Sequence, residues 1–501
     1  MSKDTILIRA DANVAIGTGH VMRCLALAQA WQDAGGDAIF AMADCSSSLK
    51  GRLQKELLGV LEISPTPGSP EDARQTAHLA HAHSAAWVTV DGYHFGADYQ
   101  RTLRAAGLKI FFLDDYGHAR DYCADVVLNQ NLSADECLYE RREPYSRLLL
   151  GPRYCMLRRE FHPWREQKRE IAPLGHRVLV TMGGSDPQNF TEKAINALRL
   201  IDDPKLDAAI VVGGSNLHSQ SLQGVAAGIG KRVGFYRDAQ NIAELMAWAD
   251  IAISAAGTTS WELCMLGLPS ILISLAENQV PVAQELHSRG CAIHLGGPQQ
   301  VSSEILATQA AQLLNSENRR RGMSSDCRDL LDGRGAMRVV AALRGPRLHL
   351  RPACESDSRL LWEWANDPQV RSASFSSEPI PWETHVAWFA RKLKQHNCFI
   401  WIAEDDEQNP VGQIRLDTRA DGESEVDVSI SNRWRGQRLG VQLVRMAAQS
   451  ALNGEGRTRL HAFVKLSNVA SLKAFEKGGF MRVGVEKVGG NEAVHLVCEA
   501  N

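Results

Sequence analysis

No apolar run in the 501 residues approaches the roughly 20 needed to cross a bilayer as a helix. The start is equally short of a secretion signal. Met1-Ser2-Lys3-Asp4 passes at once into the strand-like Ile6-Leu7-Ile8, without the apolar core such a signal needs, so a cytoplasmic protein is expected. An excess of charge of one sign is also missing. Lys and Arg number 55 against 58 Asp and Glu, a formal net charge of -3, which leaves no general positive field for nucleic acid or an anionic membrane. The 11 cysteines include no Cys-x-x-Cys pair, which disfavours a zinc ribbon and suggests reduced, mostly buried thiols. His78, His81 and His83 lack nearby carboxylates and make a poor metal site, and Arg319-Arg320-Arg321 reads as a solvated helix end. Internal repeats and low-complexity tracts do not stand out.

What is present is an ordinary globular balance, 44% hydrophobic and 23% charged, in a chain long enough for about three domains. Short apolar runs alternate with helical patterns in the first part. Ile6–Arg9, Ala38–Ala41, Trp87–Val90 and Ile110–Leu113 read as strands, with a helix over Val21–Ala34. After a polar stretch around Pro163–Pro173 a second such series begins, with strands at Val178–Met182, Ala209–Val212, Ile251–Ser254 and Ser270–Ile273. Alternating buried strands and helices predict two doubly wound parallel-sheet domains, which bind ligands beyond the carboxyl ends of their strands. Near Gly345-Pro346 the pattern becomes strand-rich and α+β. Strands are expected at Leu348–Arg351, Phe399–Glu404, Pro410–Leu416, Val426–Ile430 and Arg459–Val464, and a helix from about Leu439. The expected domains are residues 1–162, 163–345 and 346–501.

The first motif is Arg9-Ala10-Asp11 followed by Gly17-Thr18-Gly19-His20, in the order strand, glycine loop, helix start. Glycines let backbone N–H groups approach a ligand, and a helix N-terminus favours developing negative charge. His20 would stand in the first helical turn, where an imidazole can take a proton from water. A tight strand-to-helix turn capped by His20 explains the same string equally well. In the second domain Gly183-Gly184-Ser185-Asp186-Pro187 follows a strand. So does Gly257-Thr258-Thr259-Ser260, with Glu262 one turn in; these loops suit a diphosphate and a ribose. Glu277, Asn278 and Gln279 follow the next strand, where a sugar ring could be held.

In that order these stretches, together with Val90 to Tyr93, Leu113 to Asp115, Asn129 to Asn131 and Leu150 to Tyr154, resemble the UDP-2,4-diacetamido-2,4,6-trideoxy-β-L-altropyranose hydrolases of pseudaminic acid synthesis. Those are relatives of the two-domain GT-B glycosyltransferases, and the resemblance spans nearly all of residues 5–345. It implies a GT-B-like fold, His20 as the catalytic residue, and hydrolysis at the sugar C1 with inversion and release of UDP. Asp11 or Asp91 could assist His20. Capping and loop-binding roles are equally open to Asp91, Asp114 and Asp115. No Asp-x-Asp pair occurs in residues 1–345, which disfavours a metal-dependent GT-A reading, and no metal is expected.

Residues 346–501 resemble the GNAT acetyltransferases. Glu425–Ile430 leads to Arg435-Gly436-Gln437-Arg438-Leu439-Gly440 and then a helix, close to that family's pyrophosphate loop except that Arg438 replaces its middle glycine. The resemblance implies acetyl-CoA as co-substrate, held by Val428, Ile430, residues Arg435 to Gly440, and Asn468. Phe475 stands where many members carry a proton-donating tyrosine. Glu425, Asp427 and Ser429 alternate onto one strand face as candidates for the base, with no way to choose among them. Together the two resemblances imply a bifunctional enzyme. It would acetylate the 4-amino group of a UDP-linked amino sugar and then hydrolyse the product, alongside other enzymes of the pathway and in the service of flagellin glycosylation. A glycosyltransferase fused to an acetyltransferase is the main alternative; a half that binds its ligand without turnover is another.

Overall fold

The computed structural model describes all residues except 1–3, 14–15, 231, 420, 436–438, 453–458 and 500–501. The chain forms two compact units, Met1–Leu343 and Arg344–Asn501. The first holds two parallel sheets. In the N-terminal lobe β1 (Thr5–Ala10), β2 (Asp37–Met42), β3 (Gly59–Glu62), β4 (Ala85–Asp91), β5 (Ile110–Leu113), β6 (Val126–Asn129) and β7 (Arg147–Leu150) lie in the order β3-β2-β1-β4-β5-β6-β7. The central strands read as unbroken apolar runs because both faces are covered. Ile6, Ile8 and Ala10 of β1 pack into one core with Val21, Cys24, Leu25 and Trp31, while Leu7 packs into the core on the other face with Val88, Val90 and Phe112. Truncating one such side chain costs about 2–5 kcal/mol.

The second lobe repeats the plan with β8 (Arg177–Thr181), β9 (Asp207–Val212), β10 (Arg232–Arg237), β11 (Ile251–Ala255), β12 (Ser270–Ile273) and β13 (Ala292–His294), ordered β10-β9-β8-β11-β12-β13. Strand order therefore reverses between β1 and β4 in one lobe and between β8 and β11 in the other. A crevice opens at such a reversal beyond the strand ends. The helix Gly335–Arg344 follows the second lobe in sequence, yet Ala336, Val339, Val340 and Leu343 are buried in the core of the first. Gly335 permits this return, since a Cβ there would lie 2.1 Å from the Cys155 carbonyl oxygen.

The second unit is a mixed sheet of β14 (His349–Pro352), β15 (Cys398–Glu404), β16 (Pro410–Thr418), β17 (Ser424–Ile430), β18 (Arg459–Lys465), β19 (Met481–Val488) and β20 (Asn491–Glu499), in the order β14-β15-β16-β17-β18-β20-β19. One face is apolar: Ile414, Leu416, Val426, Leu460 and Ala462 pack beneath the helices Leu439–Leu452 and Val469–Lys477. Among the described residues the only parallel pair of this sheet, β17 with β18, is matched at Ser424–Leu460 and Glu425–His461. Beyond Glu425 the two strands part, leaving a wedge whose apex is the Glu425–His461 pair. The α/β class with two parallel-sheet lobes and an α+β unit is the one the sequence implied.

Candidate functional site

In the first unit the loops at the two strand reversals face each other. The helix Gly19–Asp33 starts just after β1, so His20 and Arg23, three residues apart, project from one face of its first turn. Asp91 ends β4, the neighbouring strand. The Asp91 carboxylate lies 2.6 Å from His20 Nδ1, and Arg23 donates to both its oxygens, from Nη2 at 2.6 Å and from Nε at 2.7 Å. Cys24 Sγ donates to it as well, at 3.3 Å. Arg23 Nη1 reaches Asp115, beyond β5, at 2.6 Å. Asp115 also accepts from the Tyr93 hydroxyl at 2.7 Å and from Asn131 Nδ2, beyond β6, at 3.2 Å. The Tyr93 ring meets His20 edge-on, with centroids 4.9 Å apart.

These contacts fix the chemical states. Burial pushes the Asp91 carboxyl up, but Arg23 and His20 outweigh it and hold the group well below the usual carboxylate range. An ionised Asp91 accepts only, so the His20 nitrogen facing it, Nδ1, carries a proton, and Nε2 is the nitrogen that this contact leaves over. Burial, and after it the Asp115 charge, push the Tyr93 phenol far up, so it stays a donor. The ring of His20 is thus oriented, and an acceptor nitrogen is made available with a carboxylate behind it to stabilise the imidazolium that protonation creates.

The second lobe supplies the opposite wall. Asn278 Nδ2 donates to the Tyr93 hydroxyl at 2.9 Å. A Cβ on Gly19 would lie 3.4 Å from Thr258 Oγ1, and one on Gly184 would lie 2.6 Å from Thr18 Oγ1. Gly17 and Gly183 have φ of +71° and +80°, a left-handed conformation that favours glycine. The Gly17–Gly19 loop is therefore in contact with both the Gly183–Ser185 and the Gly257–Thr259 loops. Gly184→Ala is expected to push Thr18 aside and raise KM for the nucleotide sugar about tenfold while changing kcat little, as steady-state kinetics would show. Gln279 Oε1 accepts from the Leu275 N–H at 2.9 Å, which shapes its own loop, whereas Glu277 and Asn278 are exposed.

Two acidic residues stand differently from their expected settings. Asp11 belongs to another network: its Oδ1 accepts the N–H groups of Ala43 at 2.7 Å and Asp44 at 3.2 Å, and its Oδ2 lies 2.7 Å from Arg9 Nη1. Arg9 in turn forks onto buried Asp72. Glu262 is buried, and one of its oxygens receives Arg158 Nη2 at 2.8 Å; burial, opposed by Arg158, raises its carboxyl. Asp114 serves its own loop, accepting from the N–H groups of Asp115, Tyr116 and Gly117 and from His118. Sequence reading passed over Arg23, Tyr93, Asp115 and Asn131 as site residues. The spacing of Arg23 from His20 was the available signal for the first.

In the second unit Val428, Ser429 and Ile430 are half-buried along the diverging part of β17. Arg435 is fixed at its end by Asp367 at 2.8 Å, by Gln369 at 2.9 Å and by the Ile430 carbonyl at 3.2 Å. Gly436, Gln437 and Arg438 lie outside the described residues. Leu439 is buried, and a Cβ on Gly440 would meet Ala474 at 3.5 Å, so the two covering helices approach closely there. Asn468 caps the helix Val469–Lys477 by accepting the Ser471 N–H at 3.1 Å. Phe475 is a core residue packed edge-on against Phe480. Of the strand carboxylates, Asp427 pairs with Arg415 at 3.0 Å and Glu425 with Arg419 at 3.5 Å, both exposed. Among the described residues no group of three or more His, Cys, Asp or Glu has a metal-binding arrangement, and no helix is long and apolar enough to cross a membrane.

Residues 177–330 match the glycosyltransferase family 28 C-terminal domain, and residues 347–481 match the acetyltransferase (GNAT) domain. An uncharacterized protein of Methanocaldococcus jannaschii is 22% identical over 496 residues, 95% of this chain and 96% of that one, so both halves have counterparts in one relative. The UDP-2,4-diacetamido-2,4,6-trideoxy-β-L-altropyranose hydrolase of Campylobacter jejuni is 26% identical over 289 residues, 57% of this chain and 97% of the hydrolase. A spore coat polysaccharide biosynthesis protein of Bacillus subtilis is 30% identical over 205 residues, 40% of this chain and 58% of that protein. The chain is an enzyme in two parts: a half homologous to the Campylobacter UDP-sugar hydrolase, containing a glycosyltransferase family 28 C-terminal domain, followed by an acetyltransferase domain of the GNAT family.

Proposed function

We propose that the first half hydrolyses UDP-2,4-diacetamido-2,4,6-trideoxy-β-L-altropyranose to the free sugar and UDP. The second half transfers an acetyl group from acetyl-CoA to the 4-amino group of the precursor UDP-sugar. The observation that carries the first assignment is the 2.6 Å contact of His20 Nδ1 with Asp91. It leaves Nε2 to take a proton from water as the water oxygen bonds to C1. The C1–oxygen bond to UDP breaks, and its electrons depart with the diphosphate. Single displacement by water opposite the leaving group inverts C1. The Gly183–Ser185 and Gly257–Thr259 loops hold the diphosphate, Glu262 meets the ribose through the oxygen that Arg158 leaves, and Glu277, Asn278 and Gln279 lie along the sugar.

For the second half, the edge of β17 from Val428 to Ile430 suits the amide-bearing arm of acetyl-CoA, which can add to it as an extra strand does. Residues Arg435 to Gly440 hold the pyrophosphate, and the thioester reaches the apex of the wedge. Glu425, Asp427 and Ser429 line the polar side of that strand, where the amine arrives. The test is incubation with UDP-linked 4-amino-4,6-dideoxy-N-acetyl-altrosamine, with and without acetyl-CoA, followed by mass spectrometry. Free diacetamido sugar and UDP formed only with acetyl-CoA support both steps and their order. An intact acetylated UDP-sugar would overturn the hydrolase assignment in favour of transfer to a glycosyl acceptor. Excess chelator is expected to leave UDP release unchanged, since charge on the leaving diphosphate is met by backbone donors; complete loss would refute this.

A further inference from the structure

On the polar face of the second sheet four side chains form a continuous chain of hydrogen bonds. Glu423, just before β17, lies 2.7 Å from His461 Nε2 on β18. His461 Nδ1 lies 2.9 Å from His495 Nε2 on β20, and His495 Nδ1 lies 2.7 Å from Glu486 Oε1 on β19. The His495 ring also stacks on Phe463, with centroids 4.6 Å apart. Side-chain exposure is 27% at Glu423, 7% at His461, 15% at His495 and 53% at Glu486, so the two rings are buried while both carboxylate ends reach water, Glu486 the more openly. All four ring nitrogens are engaged.

Counting protons shows what such a chain can do. Ionised carboxylates only accept, so three hydrogen bonds among four ring nitrogens require three ring protons. Two neutral imidazoles supply two. The complete chain therefore holds one proton more than two neutral rings, and gaining that proton closes the last hydrogen bond. A buried pair arranged in this way can take up a proton at one carboxylate end and release one at the other.

Its place is as telling as its composition. His461 is the β18 member of the apex pair with Glu425, and Glu423, Glu425, Asp427 and Ser429 alternate along one side of β17. The helix Pro368–Ala373 is tied to the far ends of both strands, through its cap Asp367 to Arg435 after β17 and through the Ser372 carbonyl to Lys465 Nζ of β18 at 3.2 Å. Resting on the acetyltransferase reading above, we propose that Glu423, His461, His495 and Glu486 are a proton relay that carries away the proton an amine must lose to attack acetyl-CoA. The substrate ammonium gives one proton to a side chain of the β17 row, that row passes one to Glu423, and Glu486 releases one to water. The free amine nitrogen then bonds to the acetyl carbon as the carbon–sulfur bond breaks. The second nitrogen proton goes to the departing thiolate, giving the amide and the free thiol of coenzyme A. The relay groups act through the β17 row and are positioning residues.

The full chain, with acetyl-CoA and UDP-linked 4-amino-4,6-dideoxy-N-acetyl-altrosamine, is assayed by thiol release. His495→Ala is expected to lower kcat about 100-fold, with KM for acetyl-CoA within about twofold of native and partial rescue by added imidazole. Glu486→Gln, at a half-exposed position that tolerates change, should lower kcat about tenfold without altering the melting temperature. Native kcat in Glu486→Gln together with an unrescued His495→Ala would overturn the relay while leaving the acetyltransferase reading intact. No thiol release by the native chain would sink that reading, and the relay with it, as direct hydrolysis of an already acetylated substrate would show by continuing.

Discussion

His20→Asn is expected to reduce UDP release by about 10³-fold and to leave acetyl transfer at its native rate. The replacement is chosen because asparagine can still donate to Asp91, so the buried carboxylate keeps a partner and the helix start keeps its geometry. What is lost is Nε2, the one ring nitrogen that the Asp91 contact leaves to accept a proton. In the proposed mechanism substrate binding draws on other groups, the glycine loops and the second lobe, so the loss should appear in kcat and hardly in KM. Acetyl transfer belongs to the other compact unit and serves as an internal control for the amount of intact chain, while an unchanged melting temperature reports the folding of the first unit. Hydrolysis within about tenfold of native would remove His20 from proton transfer and leave it the capping role that the sequence alone allowed.

Local features of this chain were legible because local chemistry determines them. The central strands of the first unit are buried on both faces, so Ile6 to Ile8 or Ile110 to Leu113 cannot be mistaken for surface segments. The glycine loop leads into a helix that begins at Gly19, two residues before the apolar pattern does, because an apolar periodicity marks the buried face and not the first turn. The alternation of Glu425, Asp427 and Ser429 against Val426 places them on the polar face as expected.

What the sequence could not convey is convergence. Arg23, Asp91, Asp115 and Asn131 stand at the ends of four different elements and meet only because β1, β4, β5 and β6 are neighbours in the sheet. The same reason hid His461 and His495, since β20 inserts between β18 and β19 against the order of the chain. Asp11 and Asp91 looked alike as acids at strand ends. Arg9 and two backbone N–H groups claim one, and His20 and Arg23 claim the other. Helix Gly335–Arg344 shows the limit for domains: its apolar face has the right period, but nothing in that period says that it returns to the first lobe.

Asp91→Asn gives the second large effect, and it separates orientation from mere presence of the imidazole. An asparagine of the same shape can offer its amide N–H toward Nδ1, which favours the proton on Nε2 and leaves that nitrogen unable to accept one from water. A wrong tautomer of this kind costs an oriented histidine roughly 10³–10⁴ in kcat. Hydrolysis should fall by that order although His20 itself is intact. Stability responds too. Arg23 keeps Asp115 but loses a buried carboxylate that received two of its donors, and breaking one side of a buried ion pair costs on the order of 3 kcal/mol. The folded Asp91 carboxyl is held below its unfolded value, so its contribution is fully present above about pH 4 and is lost as pH falls toward the depressed folded value. The variant should therefore melt earlier at neutral pH, and the gap from the native chain should narrow in acid. A variant that melts earlier with undiminished turnover would make Asp91 a purely structural acid, and the orientation of His20 would then have to come from Tyr93.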